Sequence, residues 1–297
     1  MGLGFPPFTP AVKRLVIINT VVFLVLLLLG AIAPALAATL AGVPQLTTTG
    51  VRLPLLPLVP WAVTHGFLWQ LVTYGFLHMG VFHILFNMIT LWMFGSQLEM
   101  DWGTRKFYEF YFYALIGAAL VTVGISYLGL VPAFSFLNIE PLTTTVGASG
   151  AIFGLMLAFA MLFGDMEFML FPLPILIKAK YLVAIFVLID LAYLFQGFGP
   201  GRRGESIAYF AHLGGALFGW FYVKFLPRRG LMFATSERYF GLRNSYYRWK
   251  RRRAARKFEV YMRKHDHDGS IDHYGDPGSP DKSPRKGNDE SRPPWVN

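Results

Sequence analysis

Residues 143–163 read TTTVGASGAIFGLMLAFAMLF, a Gly-Ala-Ser-Gly step followed by a run that is almost wholly apolar. Glycines flanking a serine let other backbone come close to it. The run from 147 to 163 has the length at which an apolar helix begins to span a bilayer, roughly 17–25 residues. Five further runs of this kind lie at 15–40, 78–98, 107–131, 181–198 and 206–226. Composition points the same way: 54% of the 297 residues are hydrophobic and 15% charged, where a soluble domain carries about a quarter charged. The expected fold is an all-α polytopic membrane protein, a bundle of six transmembrane helices over residues 13–226. The serine then sits at the mouth of the fourth span.

Charge is segregated. Residues 227–297 hold 17 Lys/Arg against 9 Asp/Glu, and residues 1–226 hold 10 against 8. This is a membrane body with a basic tail rather than a nucleic-acid-binding domain. The tail divides into a basic juxtamembrane segment, 227–265, whose RWKRRRAARK is expected to meet anionic lipid, and a polar stretch, 266–297, expected to be disordered. HDHDGSIDHYGD lacks the spacing and the terminal Glu of a calcium loop. Lys13/Arg14, Arg105/Lys106, Lys178/Lys180 and the tail place both termini in the cytoplasm, residues 1–12 included. Spans two, four and six then run inward. Lys13-Arg14, the first apolar run and APALAA resemble a secretory signal, but the run is about twice the usual ~7–15 residues and reads as an uncleaved span. The chain has no cysteine, so disulfides and thiolate metal sites are excluded.

Strongly polar side chains within spans are costly and point to function. Here they are His78, His83 and Asn87 in the second run, Ser149 in the fourth, Asp190 in the fifth and His212 in the sixth. At ~1.5 Å per residue from each cytoplasmic exit, Ser149 lies ~21 Å up, His212 ~18–22 Å and His83 ~20–24 Å, with Asn87 a turn lower. Three helices counted separately put these groups at one level. A serine becomes a nucleophile when a neighbouring base takes its proton, and Ser149 with His212 supplies that pair. A helix N-terminus and the His83/Asn87 face, at i and i+4, supply donors for an oxyanion. Gly215 and Gly219 lie one turn apart below His212 and allow close contact, expected with Gly150 and Gly154.

HMGVFHILFN (78–87), GASG (147–150) and AHLGGALFG (211–219) resemble the signatures of the rhomboid intramembrane serine proteases, in order and in six-span topology. LEMDWGTRKFYEFY keeps the character of that family's turn between spans two and three. The resemblance covers roughly residues 10–226. GASG is not the GxSxG elbow of soluble hydrolases, because Ala151 stands where the last glycine would be. The resemblance implies a serine endopeptidase that cleaves in or near transmembrane segments of other membrane proteins, through a Ser149–His212 dyad without a third acid. It implies an oxyanion site of His83, Asn87 and the backbone N–H of Ser149 with that of Ala148. His78 would be structural, Gly147 would belong to the serine motif, and Phe153 would pack on His212 where the family commonly has Tyr. The loop 41–77 would lie partly submerged; Trp69-Gln70 stands where the family carries Trp-Arg, so that arginine is missing. Residues 196–201 would form a mobile cap, and the fifth span would be the lateral gate.

The histidines lack an HExxH pattern, and neither a metal nor a cofactor is expected. Asp190 is expected to face a protein-lined or watery seam rather than to catalyse. The alternative function is a catalytically inactive rhomboid-like protein that binds transmembrane clients for quality control or trafficking. Loss of Ser149 or His212 would mark it, and both are present. A transporter would carry inverted repeats, and none is evident. The expected partners are transmembrane protein substrates and the lipid bilayer, with no nucleic acid. The expected location is a plasma membrane of the bacterial inner-membrane kind.

Overall fold

The computed structural model describes residues 6–47, 50–137, 139–169, 176–196, 207–225 and 249–253. The first apolar run forms two helices rather than one, α1 (Pro10–Ile32) and α2 (Pro34–Ala41). Proline lacks the amide proton and crowds the preceding turn, so the chain leaves the helix at Ala33, with φ −144° and ψ 64°. At the other end Pro10 occupies the first turn of α1, where its missing N–H costs nothing. The free amides there are met from a distance: Ala11 N–H donates to Glu99 Oε1 at 2.8 Å and Val12 N–H to Glu99 Oε2 at 3.0 Å. A carboxylate at a helix N-terminus also suits the dipole.

The loop that follows is more ordered than its four prolines suggest. It holds a small hairpin of β1 (Gln45–Thr47) and β2 (Gly50–Arg52), then α3 (Pro60–Thr64), α4 (Gln70–Thr73) and a 3-10 turn over Tyr74–Phe76. Proline-rich backbone cannot satisfy its own polar groups by a ladder, so side chains must do so. Gln70, fully buried, does most of it. Its Oε1 accepts the Val59 N–H at 3.0 Å, and its Nε2 donates to the Pro54 carbonyl at 3.1 Å. Trp69 Nε1 donates to the Leu55 carbonyl and Thr73 Oγ1 to that of Leu56. The glutamine that stands in place of an arginine is thus an internal fastener of the loop.

The bundle proper consists of α5 (Val81–Trp102), α6 (Thr104–Leu128), α7 (Ser149–Phe163), α8 (Ala179–Gln196) and α9 (Ile207–Phe225), joined to α1. The second run therefore begins as a helix at Val81, with His78 in the turn before it. Gly103, at φ +79°, closes α5 and opens α6, a conformation that glycine adopts without strain. Between α7 and α8 lies a second hairpin, β3 (Glu167–Met169) with β4 (Leu176–Lys178), beside which Asp165 pairs with Lys180 at 2.8 Å. Lys180, with Lys178 at 3.3 Å, holds the exposed Asp165 carboxyl below the usual carboxylate range.

Helix α7 is central and buried along Gly150, Ala151, Ile152, Gly154 and Leu155. It packs on α9 through glycines: a Cβ on Gly219 would stand 2.8 Å from the Cα of Gly154. On its other side a Cβ at Gly150 or Gly154 would meet Ala118 or Ala114 of α6 within 2.8 Å. Without a hydrophobic force between helices in lipid, such close backbone approach supplies the packing energy. The outer faces are apolar. Phe82 and Phe86 of α5, Leu27 and Leu28 of α1 and Leu188 of α8 are each more than half exposed, which suits a surface in contact with hydrocarbon. Among the described residues four helices, α1, α5, α6 and α8, are long and apolar enough to cross a bilayer. α7 is shorter, at 15 residues, and α9 carries His212, three glycines and Lys224.

The chain divides into two compact units, 1–237 and 238–297. Of the second, only 249–253 is described, a helical segment with Arg253 stacked 5.3 Å over the Trp249 ring. Of the expected cap at 196–201, Gln196 is the last residue of α8; the rest of it, most of the basic segment 227–265 and the polar stretch 266–297 lie outside the described residues.

Candidate active site

Ser149 is the first residue of α7, and the turn before it decides where its hydroxyl points. Gly147 has φ +124°, and a Cβ there would lie 2.8 Å from His83 Nε2, so both backbone and space require glycine. Gly147 N–H donates to the Tyr74 carbonyl at 2.9 Å. Two residues earlier, Thr145 and Leu58 exchange both backbone hydrogen bonds. The loop fastened by Gln70 therefore also fastens the approach to Ser149.

Ser149 Oγ stands 2.8 Å from His212 Nε2. The imidazole is held from three further sides. Phe153, one turn beyond Ser149, stacks on it with centroids 4.3 Å apart and planes 5° apart. Tyr209 meets it edge-on at 6.2 Å. Its other nitrogen, Nδ1, lies 2.6 Å from Asp190 Oδ1 of α8. Asp190 is 5% exposed, and the seam it faces is the one occupied by His212. A carboxylate only accepts hydrogen bonds, so Nδ1 carries the proton and Nε2 presents its lone pair to the serine hydroxyl. A third acid is therefore within hydrogen-bond reach of the histidine, where the resemblance implied none.

His83 and Asn87 project from the first turns of α5. His83 Nδ1 accepts the Met79 N–H at 3.4 Å, which leaves the proton on Nε2, the atom lying over Gly147. His78 stands edge-on to His83 with centroids 4.9 Å apart. Asn87 is buried, and its Nδ2 finds no acceptor among the described residues. A buried donor left alone costs ~1–3 kcal/mol and calls for an explanation. Ala148, buried, precedes the helix at φ −69°, so its amide and that of Ser149 open α7, where helices lack internal acceptors.

The structure brings Ser149, His212, Phe153, His83 and Gly147 together at one place, and Gly150 and Gly154 against Gly215 and Gly219. The constellation has parts that acyl transfer uses: a hydroxyl on a base, a base on a carboxylate, and His83 Nε2 close to the Gly147 that precedes the nucleophile's helix. Two participants carried no sign of these contacts in the sequence. Asp190 was visible only as a charge in a span, and Gln70 only as the absence of an arginine. A cleft of about 650 Å³ also opens between α1, α2 and the start of α5, lined by Leu27, Ala38, His78, Met79, Thr144 and Val146.

Comparison with known proteins places these features in a wider group. A profile of the Rhomboid domain matches residues 65–229, more than half of the chain. The chain is 27% identical over 181 residues to Rhomboid-like protein 19 of Arabidopsis thaliana, covering 59% of this chain and 54% of that protein. It is 29% identical over 159 residues to Rhomboid protein 1, mitochondrial, of Saccharomyces cerevisiae, covering 52% and 42%. It is 30% identical over 152 residues to Rhomboid-like protease 3 of Toxoplasma gondii, covering 51% and 49%. The chain spans about half the length of these curated relatives.

Proposed function

The chain belongs to the rhomboid family, and from that premise we propose that it is an intramembrane serine endopeptidase acting on transmembrane segments of other membrane proteins. The observation that carries this reading is the 2.8 Å approach of Ser149 Oγ to His212 Nε2 within a bundle whose exterior is apolar. Ser149 Oγ attacks the scissile carbonyl carbon while His212 Nε2 takes its proton. The oxyanion is met by His83 Nε2–H, Asn87 Nδ2–H and the amides of Ser149 and Ala148. As the C–N bond breaks, His212 returns the proton to the leaving amine and the acyl group remains on Ser149 as an ester. Water, deprotonated by His212, attacks that ester; the new carboxyl end departs and Ser149 regains its proton.

The substrate helix must unwind locally, because a fully hydrogen-bonded helix hides its carbonyls. Segments with Gly or Pro, the poorest helix formers, near their outer end are therefore favoured. In this reading α7 and α9 complete six spans over residues 13–226, with both termini cytoplasmic, in a bacterial plasma membrane. The basic segment 227–265 lies on anionic lipid. The test is cleavage of a single-span reporter by the purified protein in lipid, compared with Ser149→Ala. Equal cleavage by both would sink the mechanism. Binding of the reporter by both, with cleavage by neither, would favour the inactive client-binding alternative.

A further inference from the structure

Helix α8 buries only four of its residues, Ala179, Val183, Asp190 and Leu194. Three are apolar, and the fourth carries the acid. A carboxylate within a span is costly, so it is kept where it has a partner or a task. Asp190 has one partner among the described residues, His212 Nδ1 at 2.6 Å, while its Oδ2 is buried with none. A half-satisfied buried acid is a poor device for stability, since an apolar pair of similar volume often does better. It is a good device for orienting an imidazole. We infer that Asp190 is the positioning residue of the catalytic base, so that Ser149, His212 and Asp190 work as a Ser–His–Asp triad across α7, α9 and α8.

The inference rests on the proposed peptidase reading and goes one step beyond it. The carboxylate holds the proton on Nδ1, keeps Nε2 aimed at Ser149, and stabilises the imidazolium that forms when the serine proton moves. The acid does not itself take up the proton. Phe153 stacks flat on the ring and fixes its plane, but it does not choose which nitrogen faces Ser149. Asp190 makes that choice. Because the acid is carried by α8, the base is oriented only while α8 is docked against α9.

The test compares Asp190→Asn, Asp190→Ala and Asp190→Glu with the wild-type chain in lipid. Asp190→Asn keeps the shape but donates or accepts equally well, so the tautomer is no longer chosen. Its kcat should fall roughly 10²–10⁴-fold, with KM within about threefold. Its melting temperature should stay within a few degrees of wild type, and Asp190→Glu should recover part of the loss. Independently, the Nδ1 proton of ¹⁵N-labelled His212 should give a far-downfield resonance in Ser149→Ala that is lost in Ser149→Ala/Asp190→Asn. A kcat for Asp190→Asn within threefold of wild type would overturn the inference. So would absence of the resonance in a folded Ser149→Ala protein, a result that needs no Asp190 variant to fold. If the wild type cleaves no reporter but the resonance is present and depends on Asp190, the peptidase reading fails while the Asp190–His212 pair stands.

Discussion

A β-carbon placed on Gly215 of α9 would fall on the backbone carbonyl of Gly150 in α7. The two helices carry the base and the nucleophile, His212 one turn above Gly215 and Ser149 next to Gly150, so this contact sets their separation. Gly215→Val must push the helices apart. Overpacking of this kind costs about 1–3 kcal/mol or more, and a hydrogen bond of 2.8 Å is lost with a shift of less than 1 Å. The expected outcome is a lower melting temperature together with loss of fluorophosphonate labelling at Ser149. Labelling at the wild-type rate would show that α9 adjusts without moving His212.

Phe153 lies flat on the imidazole, and its role separates from that of a polar neighbour. A stacked aromatic pair contributes about 0.5–1.5 kcal/mol beyond its buried area. Phe153→Tyr keeps the stack and should retain wild-type kcat. Phe153→Ala removes the plate and should lower kcat by roughly tenfold, from that same energy. Equal activity in the two variants, measured on one reporter, would show that the ring is held by Asp190 and Tyr209 alone.

Gln70 acts on the same serine from farther away. Its carboxamide holds Val59 and Pro54, the bridge from Leu58 reaches Thr145, and Gly147 hangs from the Tyr74 carbonyl. Gln70→Leu leaves the buried Val59 amide without its acceptor, at a cost of ~1–3 kcal/mol. Proteolysis of the loop 41–77 should quicken, and activity should fall with stability. A Gln70→Leu variant as protease-resistant as wild type would show that prolines alone hold the loop.

The helical bundle and much of the candidate site were legible from the chain because helical rise is fixed. Counting residues from each expected cytoplasmic end brought Ser149, His212 and His83 to one depth, and spacing alone paired Gly215 and Gly219 with Gly150 and Gly154. Hydropathy was blind to backbone donors, so the break at Pro34 was read through as one span. Depth says nothing about the direction a residue faces around its helix. Asp190, about ten residues beyond Lys180 and so ~15 Å up, lay within reach of His212 by depth, but only packing turned it inward. Gln70 was beyond reading altogether, since its worth lies in which distant carbonyls and amides lack partners.

Asn87 offers the sharpest separation of stability from function. Its Nδ2 is buried and finds no acceptor among the described residues, so the folded protein gains little from this amide. In the proposed reaction that donor is paired only when a tetrahedral oxyanion forms. Asn87→Ala gives up some packing but also relieves a buried unsatisfied group worth ~1–3 kcal/mol, so the melting temperature should hardly move. The loss of one oxyanion donor should nevertheless lower kcat by roughly 10²–10³-fold, with KM little changed. Ground-state binding is untouched because no substrate carbonyl needs this amide before it becomes tetrahedral. A purely structural Asn87 would give the reverse pattern, a lower melting temperature with kcat intact. Measuring both quantities on one preparation decides between them.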